Sequence, residues 1–152
     1  DARLVLAGRS GASSHAISAA LDATGGAGVS RLGPRGDVPD LMCAADIVAI
    51  PSRWEGMGGT AVEALALEVP LVASDIPPLR EVAEEAALFA PAGSVTGLAA
   101  ALIESLRDPD AARGRAAAGR RRFETRFSIE GVAAAMAGFY RRCRPEPEAG
   151  AA

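Results

Sequence analysis

Short unbroken apolar runs separated by stretches of helical period set the first expectation for this chain. Leu4-Val5-Leu6-Ala7, Val29 to Leu32, Ile47-Val48-Ala49-Ile50, Leu71-Val72-Ala73 and Ala87-Leu88-Phe89 each read as a buried strand, with helices expected near 13–23, 37–44, 59–68 and 78–85. Continuous rather than alternating apolar runs fit strands covered on both faces, and strand-helix alternation implies a parallel sheet with right-handed crossovers. The predicted fold class is therefore α/β, a doubly wound Rossmann-like parallel sheet. From Val95 onward the strand signal stops, and three alanine-rich helices are expected near 95–107, 109–125 and 128–142, Pro109 fitting a helix start and Ser128 an N-cap. Leu98, Leu102 and Leu106 recur at intervals of four, and Phe123, Phe127, Met136 and Phe139 supply larger anchors. These helices are expected to pack against the sheet or a neighbour. Residues 1–144 read as one domain with a truncated N-terminal edge, and residues 145–152 as a flexible tail.

Composition narrows the function classes. The 152 residues carry 16 basic side chains, all arginine, against 19 acidic ones, for a net charge of −3, with 49% apolar and 23% charged content. That is ordinary globular usage, which argues against intrinsic disorder. A net negative chain with one Trp, one Tyr and four Phe lacks the positive field and stacking aromatics of a nucleic-acid binder. Cys43 and Cys143 form no CxxC pair, and His15 is the lone histidine, so neither a zinc site nor a disulfide framework is expected and a reducing, cytoplasmic setting is the default. No apolar run reaches the ~20 residues of a membrane span, and the first residues open directly into a strand-like segment rather than a signal peptide.

In open parallel sheets, ligands bind outside the carboxyl ends of the strands. Four loops there collect glycine and polar residues: Gly8-Arg9-Ser10-Gly11, Gly33-Pro34-Arg35-Gly36-Asp37, the segment from Pro51 to Thr60, and Ser74-Asp75-Ile76-Pro77. In the third, Gly56, Gly58 and Gly59 let backbone approach a ligand where a helix begins, which makes an anion site suited to a phosphate or diphosphate. The same glycines would also serve a tight strand-to-helix connection. Glu55 precedes this cluster and Glu63 lies about one turn into the following helix. Carboxylates beside a phosphate site are useful as acceptors for sugar hydroxyls. Read singly, Glu63 is a dipole-favoured first-turn glutamate and Glu55 a solvated loop charge.

The combination is more specific. Pro51-Ser52-Arg53-Trp54-Glu55-Gly56-Met57-Gly58-Gly59-Thr60-Ala61-Val62-Glu63-Ala64-Leu65-Ala66, continuing through Val69-Pro70-Leu71-Val72-Ala73-Ser74-Asp75 to Arg80-Glu81-Val82, resembles the donor-binding signature of retaining glycosyltransferase family 4, a group 1 glycosyltransferase family. Leu32 to Leu41 and Ala45-Asp46-Ile47 resemble it too, so the likeness runs from about Leu4 to Tyr140. The resemblance implies the C-terminal half of a GT-B fold. It implies a nucleotide-diphosphate-sugar as substrate (UDP-, GDP- or ADP-linked), no cofactor, no metal, and transfer of a hexosyl group with retention. It assigns Glu55 to the catalytic site as the acceptor of donor-sugar hydroxyls, the backbone of Gly56, Met57, Gly58, Gly59 and Thr60 to the diphosphate, and Glu63 to the ribose. It places the nucleobase at the loop of Gly33 and Arg35. The partner it implies is an N-terminal acceptor-binding domain, missing from this chain, without which the isolated chain is expected to be inactive. Three positions depart from the family pattern: Met57 replaces an aromatic, Leu67-Glu68 a small residue and glycine, and Pro78 stands near a usual glycine.

The other polar residues have plainer expectations. His15 is expected on a helix surface, Asp75 in a site wall or helix cap, and Trp54 in the sugar pocket or as a plug under its loop. Arg120, Arg121, Arg122, Arg126, Arg141, Arg142 and Arg144 make the C-terminal third basic, either as a solvated face or for peripheral contact with anionic lipid at the inner face of a membrane. Two further classes compete: a non-catalytic nucleotide-binding or interaction module, and an NAD-dependent oxidoreductase domain. The latter would need Gly8-Arg9-Ser10-Gly11 as its phosphate turn, but there is no G-x-G-x-x-G and no acidic residue closing the second strand.

Overall fold

All five apolar runs form strands in the computed structural model, which describes residues 2–11, 14–23 and 25–144. In chain order they are β1 (Leu4–Ala7), β2 (Val29–Gly33), β3 (Val48–Ile50), β4 (Leu71–Asp75) and β5 (Ala87–Pro91). The helices are α1 (Ser14–Ala23), α2 (Val38–Cys43), α3 (Gly59–Ala66), α4 (Pro77–Ala83), α5 (Val95–Arg107), α6 (Pro109–Arg126) and α7 (Ile129–Cys143). Every strand pairing is parallel: β1 with β2, β3 with β4, and β4 with β5. The expected tail, residues 145–152, lies outside the described residues.

The chain packs as two compact units that divide between Leu41 and Met42. In the first, β1 and β2 pair from Leu4 opposite Val29 to Ala7 opposite Gly33, with a register shift after Leu6. The Gly8 amide donates to the Gly33 carbonyl at 2.9 Å. The register shift leaves Leu32 unpaired, and Gly33 takes a left-handed φ of 65°, which glycine adopts without a Cβ penalty. The expectation of burial fails for these two strands. Leu4 and Val5 are each 49% exposed, and α1, which carries His15 on its surface, has no buried residue.

The second unit has the core. Alternation along β4 sends Leu71 and Ala73 to one face, packed with Leu65 of α3 and with Leu79 and Val82 of α4. Val72 points the other way, into a cluster with Ala90, Ala101, Leu98 and Leu102 under α5. Leu65, Leu79 and Val72 are completely enclosed, and each such side chain contributes about 2 kcal/mol of burial free energy.

Helix α6 crosses this core on a stripe of small residues, Ala112, Ala116 and Gly119. A Cβ at Gly119 would stand 2.6 Å from Cδ2 of Leu65, so only glycine allows this approach. The arginines that follow are structural. Arg120 donates to the Ala66 carbonyl at the end of α3. Arg122 donates to the Val82 carbonyl at 2.7 Å and the Glu81 carbonyl at 2.6 Å, at the end of α4, and pairs with Glu84 at 2.6 Å. Cationic donors at helix C-termini satisfy carbonyls the helix leaves open and oppose its dipole. Arg120 and Arg122 therefore belong to neither a free solvated face nor a lipid-facing patch, whereas Arg121 and Arg126 are exposed.

Ser128 caps α7 as expected, its hydroxyl accepting from the Gly131 amide at 3.1 Å. Phe123 and Phe127 reach the core, and Leu98 and Leu102 pack under α5. Leu106, Met136 and Phe139 remain exposed, and α7 meets α6 but has no buried residue, so the anchors expected on that helix do not reach the core.

Candidate functional site

The loop from Pro51 to Gly58 leaves the carboxyl end of β3 and turns directly into α3, carrying most of the predicted site residues. Gly58 is the N-cap of α3, with φ 79° and ψ 47°, and a Cβ there would meet Cδ2 of Leu79 at 2.8 Å. Both the left-handed backbone and the close approach require glycine. The cap has no side-chain hydrogen bond. In contrast, α5, α6 and α7 each have a first-turn amide taken by Ser94, Asp108 or Ser128. Helix α4 starts on Pro77 and Pro78, which have no amide hydrogen to offer. At α3, Gly59 and Thr60 occupy the first two helical positions, whose N–H groups find no partner within a helix. Both residues are exposed, so the positive end of α3 opens to solvent on the same side as the loop.

Glu55 is half-buried, and its Oε1 accepts a hydrogen bond from the Ser52 hydroxyl at 2.7 Å. Ser52 was not among the predicted residues, although the Ser-x-x-Glu spacing was there to be read. Glu63 is exposed on the second turn of α3, on the same rigid element as the open amides. Trp54 is 81% exposed and Met57 66% exposed. Trp54 is thus no plug beneath the loop, and both side chains stand free at its surface. Beside the loop, a concavity of about 220 Å³ spans the carboxyl ends of β3, β4 and β5, walled by Pro51, Arg53, Ser74, Pro91 and Ser94. Neither Glu55 nor Glu63 lines it.

Asp75, at the end of β4, does not cap α4, whose N-cap is Ile76. Its carboxylate is gripped by Arg80, Nε to Oδ1 at 2.6 Å and Nη2 to Oδ2 at 2.8 Å, and the guanidinium lies 4.0 Å from the centre of the Phe89 ring. These hydrogen bonds hold Asp75 below the usual carboxylate range and raise Arg80. The pair is a fixed, nearly neutral fork, not a free acid or base.

In the first unit, Gly33 closes β2, and Arg35 follows in the loop. Arg35 is bound to Asp37, Nε to Oδ1 at 2.7 Å and Nη2 to Oδ2 at 2.5 Å, which lowers the Asp37 pKa and raises that of Arg35. Its charge is thereby paired, which suits a flat contact better than a phosphate grip. Among the described residues no group of three His, Cys, Asp or Glu side chains is placed to hold a metal ion, no helix is long and apolar enough to cross a membrane, and Cys43 and Cys143 are free and exposed.

The chain is similar to known proteins. LpsB of Rhizobium meliloti (strain 1021), a lipopolysaccharide core biosynthesis mannosyltransferase, is 33% identical over 113 residues, covering 72% of this chain and 32% of that protein. Glycogen synthase of Mycobacterium tuberculosis (strain CDC 1551 / Oshkosh) is 39% identical over 102 residues, covering 66% of this chain and 25% of its own length. The chain therefore spans about a third or less of these relatives. Among solved structures, sucrose-phosphate synthase from Thermosynechococcus elongatus superposes with a TM-score of 0.81 at 29% identity over 93% of this chain and 38% of its own. HepE from Anabaena, solved in complex with UDP, gives 0.84 at 23% identity, over 93% of this chain and 41% of its own. These are GT-B glycosyltransferase structures, so the parallel α/β class read from the apolar runs is the observed one. The family model for glycosyl transferases group 1 matches residues 1–108, and the chain belongs to that family.

Proposed function

We propose that this chain is the donor-binding part of a retaining, family 4 glycosyltransferase, holding a nucleotide-diphosphate-sugar whose hexosyl group goes to an acceptor bound by a separate N-terminal domain. The observation that carries this reading is the uncapped start of α3. A glycine N-cap with no side-chain bond leaves first-turn amides for a diphosphate, and the same loop presents the Ser52-bound carboxylate of Glu55. As the sugar–diphosphate bond breaks, negative charge grows on the leaving diphosphate, and preorganised amides at a helix N-terminus stabilise it at the point where catalysis gains most. Glu55 accepts hydroxyls of the sugar, Glu63 accepts those of the ribose, and the Gly33–Arg35 loop meets the base. The arginine–aspartate pair at Arg35 supports that last assignment by offering a planar, charge-balanced surface.

The solved complexes of HepE with UDP and with UDP-glucose support a uridine nucleotide as the first donor to try. The reaction is placed in the cytoplasm. Any contact with the inner face of a membrane would rest on α7, where exposed Ile129, Val132, Met136 and Phe139 precede Arg141 and Arg142. Cosedimentation with anionic vesicles, lost on Met136→Asp, tests that part.

Because both substrates must be held together for transfer, the isolated chain is expected to bind donor without turning it over. Calorimetric titration with UDP, GDP, ADP, their glucosyl or mannosyl forms, and NAD tests the reading. One nucleoside diphosphate series should bind, and Glu63→Ala should weaken it about tenfold, roughly 1.4 kcal/mol. Binding of NAD alone, or of nothing by a folded chain, would refute it.

A further inference from the structure

We infer that Ser52 is a positioning residue, fixing the Glu55 carboxylate so that one oxygen is presented to a donor-sugar hydroxyl. The inference rests on the donor-domain reading of Glu55. Ser-x-x-Glu is the spacing of a helix capping box, in which the serine would bond a backbone amide at the helix start. Here it does something else. The N-cap of α3 is Gly58, beyond Glu55, and the Ser52 hydroxyl is spent on the side chain of Glu55 at 2.7 Å.

A glutamate on a loop samples many rotamers, and ordering it on binding costs side-chain entropy. The hydrogen bond from Ser52 meets that cost before a ligand arrives. It is charge-assisted, and it is the only hydrogen bond to the Glu55 side chain among the described residues. It engages Oε1 alone, leaving Oε2 with both lone pairs as an acceptor. A hydroxyl is also the right donor for the task, because it orients the carboxylate without neutralising it.

The neighbouring cation is kept away. Arg53 lies two residues from Glu55 and makes no ion pair with it. Its guanidinium instead rests against Gly93, close enough that a Cβ there would stand 3.5 Å from Nε and 3.7 Å from Cζ. Gly93 has φ 76°, so it is a glycine position on backbone grounds as well. An Arg53–Glu55 fork would occupy both carboxylate oxygens and remove the acceptor. The loop thus gives Glu55 one uncharged, orienting partner and gives Arg53 a separate resting place.

The experiment is calorimetric titration of the chain with matched pairs, UDP and UDP-glucose, GDP and GDP-mannose, ADP and ADP-glucose, on the unmodified protein, Ser52→Ala, Ser52→Thr and Glu55→Ala, each checked for fold by circular dichroism. In the pair that binds, Ser52→Ala should leave the nucleoside diphosphate within about twofold and lower the nucleotide-sugar affinity about fivefold, the effect of one hydrogen bond. Ser52→Thr, which keeps the hydroxyl, should restore it. A loss in Glu55→Ala with no loss in Ser52→Ala overturns the role of Ser52 and leaves the donor-domain reading intact. Equal weakening of diphosphate and sugar nucleotide by Ser52→Ala would show a loop-folding role and overturn it as well. Absence of binding for all pairs by the folded, unmodified chain overturns the reading and the inference together.

Discussion

β4 and β1 are built from nearly the same residues and end in different environments. Leu71, Val72 and Ala73 are buried in β4, while Leu4 and Val5 of β1 are about half exposed. β4 has a hydrogen-bonded strand on each side, α3 and α4 on one face and α5 on the other. Among the described residues β1 pairs only with β2, and α1 contributes no buried side chain. An unbroken apolar run therefore states what a strand is able to bury, while its neighbours decide what it does bury.

The largest effect expected from this contrast is in core truncation. Leu79→Ala empties a fully enclosed site and should cost about 3 kcal/mol, whereas Leu4→Ala removes a half-exposed side chain and should cost less than about 1 kcal/mol. Urea unfolding followed by circular dichroism measures both. Similar costs would mean that β1 and the core packed on β4 bear equal load and would break the comparison.

The candidate site borrows its geometry from the buried half. Gly58→Ala adds a Cβ at 2.8 Å from Leu79 in a left-handed backbone and should destabilise by about 2 kcal/mol while abolishing nucleotide binding. Leu79→Ala removes the atom in the way. The double variant should therefore lose measurably less stability than the sum of the single ones, a coupling that a double-mutant cycle reads directly. Additivity would mean that the left-handed backbone, not the contact with Leu79, sets the requirement for glycine.

A sharper contrast lies between adjacent residues of α6. Arg122 is largely enclosed, bound to the carbonyls ending α4 and to Glu84, with its guanidinium 5.9 Å from the centre of the Phe127 ring. Arg121 is exposed, and among the described residues no ion pair holds it. Arg122→Ala should cost about 1.5 kcal/mol in the same unfolding measurement and Arg121→Ala close to nothing.

These cases show what the sequence made legible. The strands were readable because apolar runs are local, and the starts of α6 and α7 because Pro109 and Ser128 act on their own turns. The glycine–glutamate loop was readable because its chemistry is contiguous. The roles of Arg120 and Arg122 were not, since each bonds a carbonyl 54 or 40 residues away and looks in sequence like any other member of a basic cluster. The exposure of β1 and α7 was hidden for the same reason, because burial is a property of neighbours. The pairing of Asp75 with Arg80 fell between these cases: the spacing was visible, but Ile76 rather than Asp75 proved to be the cap.

The smallest effect concerns a departure visible in the sequence from the start. Glu68 stands where the family pattern has glycine, and the structure shows why glycine belongs there. Helix α3 ends with the Val69 amide donating to the Ala64 carbonyl at 3.1 Å and the Glu68 amide to Leu65 at 3.2 Å, the paired bonds of a Schellman ending. That ending requires a left-handed residue after the cap, and Glu68 supplies it at φ 56°. For a residue with a Cβ this conformation costs about 1–2 kcal/mol, while glycine there gives back part of the gain through a more flexible unfolded chain. The Glu68 side chain is exposed and, among the described residues, makes no ion pair that the change would forfeit. Glu68→Gly should accordingly stabilise the chain by about 0.5 kcal/mol, raising the urea midpoint without changing the slope of the transition. A midpoint that falls instead would show the side chain at work in the folded state, and the glycine preference at this turn would then need a reason other than backbone strain.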